Sequence, residues 1–350
     1  MDFQLIPTLP EQRDEIRAFL QSVFRIQDEP FIEPRVLDWK YYDPHPEAQG
    51  SRSFVVRDEN GAIASHLAYW PLWLTGPAGA RVSAVHLIDW AASTNSRGAG
   101  GFIYRELGAR FDVMIVVGGS PQAQKVLPKL GLVESGRMDL YARVVRPFSQ
   151  WAARRSPWAW KSIALCGRNL LWSTAGAADI PESWSATAVS SFPATQVESL
   201  NSERTTAAFT CTGRTAAWLD YAARCPAVTA SKFVIENNGA LIGYFLITRA
   251  GPQARIADLF VKGGPAEWTA AYALATRMAA ADPLVCEIVA GASMDFIARA
   301  LSANGYRVRA AKRIYYKDPE GYLPRVAPLA LQFTDSDAFF LYTPRDPFLT

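Results

Sequence analysis

Cysteine is scarce and scattered in this chain. The four residues, Cys166, Cys211, Cys225 and Cys286, form no C-x-x-C pair, which argues against a zinc site or a disulfide framework and fits a reduced intracellular protein. Histidine is scarcer still, and His45 and His66 have no partners at metal-ligand spacing, so no metal is expected. The net charge is only +3 over 350 residues, and without a recognition motif this gives no reason to expect nucleic acid as a partner. No apolar run reaches the roughly 18 residues of a membrane span, so none is expected. The first residues lack the basic-then-apolar order of a secretory signal, and a cytoplasmic location is the expectation. One sign of charge is absent from a long stretch. Between Leu140 and Ala178 there is no Asp or Glu, while Arg143, Arg146, Arg154, Arg155, Lys161 and Arg168 alternate with Trp151, Trp158, Trp160 and Trp172. The stretch reads as a basic amphipathic surface for a membrane or a phosphorylated ligand, or as a linker helix with tryptophans packed between two domains and arginines facing water. Pro147 and Pro157 interrupt it and favour the linker.

What is present is globular: 49% of residues are hydrophobic and 20% charged, in a length comfortable for two domains. The chain also repeats itself. Phe54-Val55-Val56, a turn ending at Gly61, and Ala62–Ser65 read as a hairpin, as do Phe233-Val234-Ile235, Glu236–Gly239 and Ala240–Gly243. Later in each half an apolar strand runs into small residues and a helix. The strand is Val113–Val117 before Gly118-Gly119-Ser120, and Leu284–Val289 before Gly291-Ala292-Ser293. Nearly the same spacing separates Phe54 from Phe233, Ser120 from Ser293 and Gly131 from Gly305. The expected class is therefore α+β: two tandem units, each a mostly antiparallel central sheet flanked by helices. The expected division is 1–145, a basic Trp-rich linker at 146–185, and 186–350.

The richest local pattern is Ser96-Arg97-Gly98-Ala99-Gly100-Gly101. It lies between the buried-strand pattern Val82–Trp90 and a helical stripe of Phe102, Ile103, Leu107 and Phe111. A glycine-rich turn at a helix N-terminus presents backbone N–H groups to an anion such as a pyrophosphate, and Arg97 adds a charge-assisted donor. The bland alternative is a turn whose glycines serve only to turn tightly.

Strand, Arg-Gly-x-Gly turn, helix, strand, and a helix closing at Lys129-Leu130-Gly131-Leu132 together resemble the GCN5-related N-acetyltransferase family. The resemblance covers about 45–140 and, through the repeat, 230–315. It implies two tandem domains of that fold. It also implies that Ser96, Arg97, Gly98, Ala99, Gly100 and Gly101 hold the pyrophosphate of acetyl-CoA or another acyl-CoA, with Trp90, Ala91, Ala92 and Ser93 beside the thioester. Three features depart from the family pattern. Phe102 stands where a small residue is expected. Leu127 and Leu301 stand where many members carry the tyrosine that protonates the leaving thiolate. The second half has Lys262-Gly263-Gly264-Pro265-Ala266-Glu267 at its turn, where Glu267 would repel phosphate, so that half is expected to be a degenerate copy.

Acyl transfer needs a proton sink, and His86 and Asp89 lie on the strand the resemblance places near the thioester. Three apart on a regular strand, they would face opposite sides. His86 reads as a base or a core histidine. Asp89 reads as a base with raised pKa or as a holder of the substrate ammonium, and Asp258 as its counterpart in the second half, or both as structural acids. Asp335 and Asp337 either share a strand face and hold an amine, or belong to a polar turn. Tyr41, Tyr42 and Asp43 fit a loop walling an acceptor site. The reading that follows is an acyl-CoA-dependent N-acyltransferase acting on a small-molecule amine by direct transfer in a ternary complex. The alternatives are a non-catalytic acyl-CoA sensor or scaffold, and an aminoacyl-tRNA-dependent transferase on a similar tandem fold. The oligomeric state is not legible.

Overall fold

The computed structural model describes residues 3–75, 81–154, 156–204, 210–323, 329–344 and 347–350. The chain opens with β1 (Ile6–Pro7), α1 (Arg13–Phe24) and α2 (Pro34–Tyr41). There follow β2 (Ser53–Arg57), β3 (Ile63–Thr75), β4 (Arg81–Ala92), α3 (Ala99–Gly108), β5 (Val113–Val117), α4 (Pro121–Val126) and β6 (Val133–Val144). After α5 (Pro147–Ala152) and α6 (Trp160–Ser173) come β7 (Trp184–Val189), α7 (Ala194–Arg204), β8 (Thr210–Thr212) and α8 (Ala216–Ala223). The pattern then recurs as β9 (Thr229–Asn237), β10 (Ala240–Ala250), β11 (Gln253–Val261), α9 (Pro265–Ala281), β12 (Glu287–Ala292), α10 (Asp295–Ala303) and β13 (Arg307–Lys317). A short β14 (Leu329–Ala330) pairs with β8.

The repeat is structural. Hairpin β2–β3 matches β9–β10, and β4-α3-β5-α4-β6 matches β11-α9-β12-α10-β13. Alternating side chains set the two faces of the first half. Val85 and Leu87 pack with α3 residues Ile103 and Leu107 on one side. Ala84 and Ile88 lie in the core shared with Val36, Leu37, Phe333 and Phe339 on the other.

The halves exchange their last strands. The sheet runs β1-β2-β3-β4-β5-β13-β6-β12-β11-β10-β9-β7. Thus β13, from the end of the repeat, pairs with β5 (Ile314 opposite Val117), while β6 pairs with β12 (Leu140 opposite Gly291). Among the described residues one continuous sheet joins both halves.

The acid-free stretch departs from the linker reading. Trp158 is 77% and Trp160 80% exposed, so these two do not pack between domains. The arginines at its start do not face water either. Arg143 donates to the carbonyls of Asn304 and Ala175, and Arg146 to those of Asp282, Val285 and Ala280. Arg155 lies outside the described residues.

Candidate acyl-CoA site

β4 and β5 run parallel, but their pairing covers only Ala84–His86 against Val113–Ile115. Beyond His86 the strands part, while β5 stays paired with β13 on its other side. From Leu87 to Ala92 the β5-facing edge of β4 therefore has no strand partner among the described residues, which leaves an open ladder of peptide groups. A bulge marks the fork. Ala68 pairs with Ile88 and His66 with Ala91, so Asp89 and Trp90 share one position, and Asp89 takes φ 51°. Bulges of this kind re-aim side chains. Asp89 turns toward α2, the side that His86 also faces by alternation with Val85 and Leu87. Spacing on a regular strand had placed the pair on opposite faces.

The glycine-rich turn follows directly. Gly98 is the N-cap of α3 at φ 92°, and Phe102 N–H closes the first helical bond onto its carbonyl. Gly100 and Gly101 occupy the first turn, where a helix offers its own N–H groups no partner. A Cβ on Gly100 would sit 3.0 Å from the Ala92 methyl, so glycine there lets the helix end approach β4. Phe102 leaves this contact free because it points aside onto Phe3, 5.6 Å between ring centres. Ser96 and Ala99 are buried, whereas Arg97 and Gly98 are exposed.

No protein-family model matches the sequence, and no curated protein matches it. Solved structures do match in shape. A GCN5-related N-acetyltransferase from Anabaena variabilis superposes with a TM-score of 0.62 at 12% identity, over 91% of this chain and 73% of that one. A tandem protein of the same fold from the clavulanic acid biosynthesis pathway gives 0.55 at 13% identity, over 91% and 98%. The Saccharomyces cerevisiae N-myristoyltransferase with bound myristoyl-CoA gives 0.56 at 10% identity, over 90% and 82%. This chain has the tandem GCN5-related N-acetyltransferase fold. In that fold's first copy the fork and the turn stand next to each other, where the resemblance had placed Trp90, Ala91, Ala92 and Ser93 and then Ser96–Gly101.

The second copy of the fold has its own fork. β11 and β12 pair only over Gln253–Ile256 against Glu287–Ala290, with a bulge at Ala257. Its turn differs. The Glu267 carboxylate accepts the Gly264 N–H at 2.8 Å, and Pro265, at the first helical position, has no N–H to give. The helix end is thus already capped by an internal anion.

Three of the candidate carboxylates, Asp89, Asp258 and Asp335, fall into two buried networks. The Asp89 carboxylate accepts from Lys40 Nζ and Tyr41 Oη, each at 2.6 Å. Burial alone would raise its pKa, but the ammonium and both hydrogen bonds outweigh that and hold it below the ordinary value. Asp89 is therefore an anion neutralised from within, not a base tuned upward. Tyr41 is spent on the same pair and is fully buried. In the second copy Arg214 donates to Asp258 at 2.7 Å and to Asp335 at 2.5 Å, with Tyr244 and Thr334 also donating to Asp258. Both carboxylates are buried, so neither is open to a substrate amine; this corrects the acceptor role. Asp335 also caps a tight turn by accepting Gln332 N–H at 2.6 Å, as the polar-turn alternative requires.

The other candidates are separate. Tyr42 bonds Thr8 Oγ1 at 3.0 Å, and Asp43 lies exposed on the loop after α2. His86 donates from Nδ1 to the Ile115 carbonyl at 3.2 Å, which leaves Nε2 as its acceptor. Burial lowers its pKa, partly offset by the charge of Asp337, which is half-buried nearby. Sequence reasoning missed Lys40 and Arg214. Lys40 had a signal, since it continues the α2 stripe of Val36, Leu37 and Tyr41 at i, i+3, i+4 spacing. A lysine on an apolar face needs a buried partner.

Proposed function

We propose that the protein is an acyl-CoA-dependent N-acyltransferase whose first copy binds the cofactor and whose acceptor is a small-molecule amine. The observation that carries this is the open β4 edge ending directly at the Gly98–Gly101 helix terminus. The edge supplies peptide groups for the amide-bearing pantetheine arm, and the turn and Arg97 take the pyrophosphate. A β4 N–H polarises the thioester carbonyl. The neutral amine attacks the carbonyl carbon, the C–N bond forms, the C–S bond breaks, and the thiolate leaves. Water in the opened cleft takes the amine proton, because His86 is itself buried where β4 and β5 still pair. Leu127 is fully buried and chemically inert, so water protonates the thiolate in this scheme. The same leucine favours a second reading, an acyl-CoA sensor that binds without turnover.

Calorimetric titration with acetyl-CoA and longer acyl-CoAs tests the binding. Arg97→Ala/Gly100→Ala is expected to weaken it by at least about tenfold, roughly the worth of one charge-assisted bond. Thiol release with an amine panel then separates enzyme from sensor. No binding of any acyl-CoA defeats both readings.

A further inference from the structure

Helix α6 carries large apolar side chains on its outside. Its one buried residue is polar: Asn169 donates to Gln150 Oε1 at 2.7 Å and accepts from Arg168 Nη2 at 2.8 Å, with Leu165, Cys166 and Trp172 half-buried on the same side. Its outward side, at i, i+3, i+4 spacing, carries Trp160 at 80% exposure, Ile163 at 51%, Leu170 at 43% and Leu171 at 74%. Phe148 on α5 and Trp158 just before α6 are exposed as well. Ordinary surface helices keep such large apolar side chains inward, and exposed apolar side chains grouped on one helix face mark a docking site.

The charge beside it selects the occupant. Lys161 is exposed on one flank of α6, and Arg168, seven residues on, shares that flank half-buried with its guanidinium donating to Asn169. Arg168 and Arg309 both lie over the Trp172 ring, at 4.2 and 5.3 Å from its centre. No Asp or Glu occurs from Leu140 to Ala178. A second copy docked through this face would bring the same cations to both sides of the contact, with no Asp or Glu on α5 or α6 to answer them. An anionic surface satisfies both features at once, with apolar side chains entering the acyl layer and cations meeting phosphates. We propose that α6, with Phe148 and Trp158, docks the protein on an anionic phospholipid bilayer. No described helix is long and apolar enough to cross a membrane, so this is peripheral contact.

Flotation of the full chain with vesicles tests it, comparing pure phosphatidylcholine with a mixture containing one-third phosphatidylglycerol. Binding to the anionic vesicles is expected to be at least about tenfold tighter and to fall with added salt. Trp160→Glu/Leu171→Glu should abolish it with an unchanged melting temperature, because both side chains are already in water. Should that variant misfold, Trp160→Phe keeps the apolar face, and its fluorescence should be less quenched by brominated lipid than the parent's. Equal partition to both vesicles, no partition, or binding untouched by the variants would overturn the proposal. So would a concentration-dependent dimer in sedimentation that Trp160→Glu/Leu171→Glu dissolves, since a second copy would then cover the face.

Discussion

Lys40 is held where its charge has one use. Its ammonium sits among the rings of Phe31, Tyr41 and Phe340, at 5.6, 5.1 and 5.9 Å. Arg52 binds the Trp39 and Lys40 carbonyls at 2.8 Å each and so fixes the end of α2. Removing one member of such a pair leaves a buried charge alone, at about 3–5 kcal/mol. Lys40→Met is expected to lose about that much in urea unfolding, and Lys40→Met/Asp89→Asn to recover more than half; strictly additive losses would refute the coupling. Acid should act in two windows. Burial lowers the pKa of His66 to about 4 and of His45 to about 3. Both are folded neutral, so stability is whole above about pH 6.5 and falls below it, by roughly 1.4 kcal/mol per pH unit for each histidine. Asp89, with its pKa depressed, stabilises the fold above about pH 4 and ceases to as pH falls further. A pH series of thermal melts reads both; a flat profile from pH 7 to 5 would refute the first. Asp89 itself was legible as a carboxylate needing a partner, but the partner lies 49 residues away and enters only through the tertiary fold.

The strand–turn–helix unit shows how one element serves differently in each half. In the first, Gly98 and Gly100 free the end of α3; in the second, Glu267 closes the end of α9. Glu267→Ala is expected to cost about 1 kcal/mol as a lost capping interaction and to create no acyl-CoA site, because Pro265 still withholds an N–H. New binding that survives Arg97→Ala/Gly100→Ala would contradict this. The turn was readable because glycine spacing is local, as was the hairpin periodicity. The bulge at Asp89 was not, because Leu87-Ile88-Asp89-Trp90 alternates no differently from a regular strand. For a related reason the exposure of Trp158 and Trp160 was not readable. Hydrophobicity shows that Trp158 and Trp160 resist water but not whether anything covers them.

At the scale of the whole molecule, self-similarity revealed the tandem units but not the exchange of β6 and β13, since each strand looks the same whichever copy it joins. Four strands stand between the forks, β5 and β6 from the first half and β13 and β12 from the second. Splitting the chain at 145 would remove β13 from beside β5 and leave β6 without β12. Residues 1–145 expressed alone are expected to aggregate, and calorimetry of the intact chain to show one cooperative transition; two separable transitions would refute the coupling. The arrangement is that of a strand-swapped homodimer whose two copies have been joined end to end. Truncation cannot then trim the molecule back to its first copy without baring the β5 edge that β13 covers. The second copy lends that strand even though its own helix end is sealed.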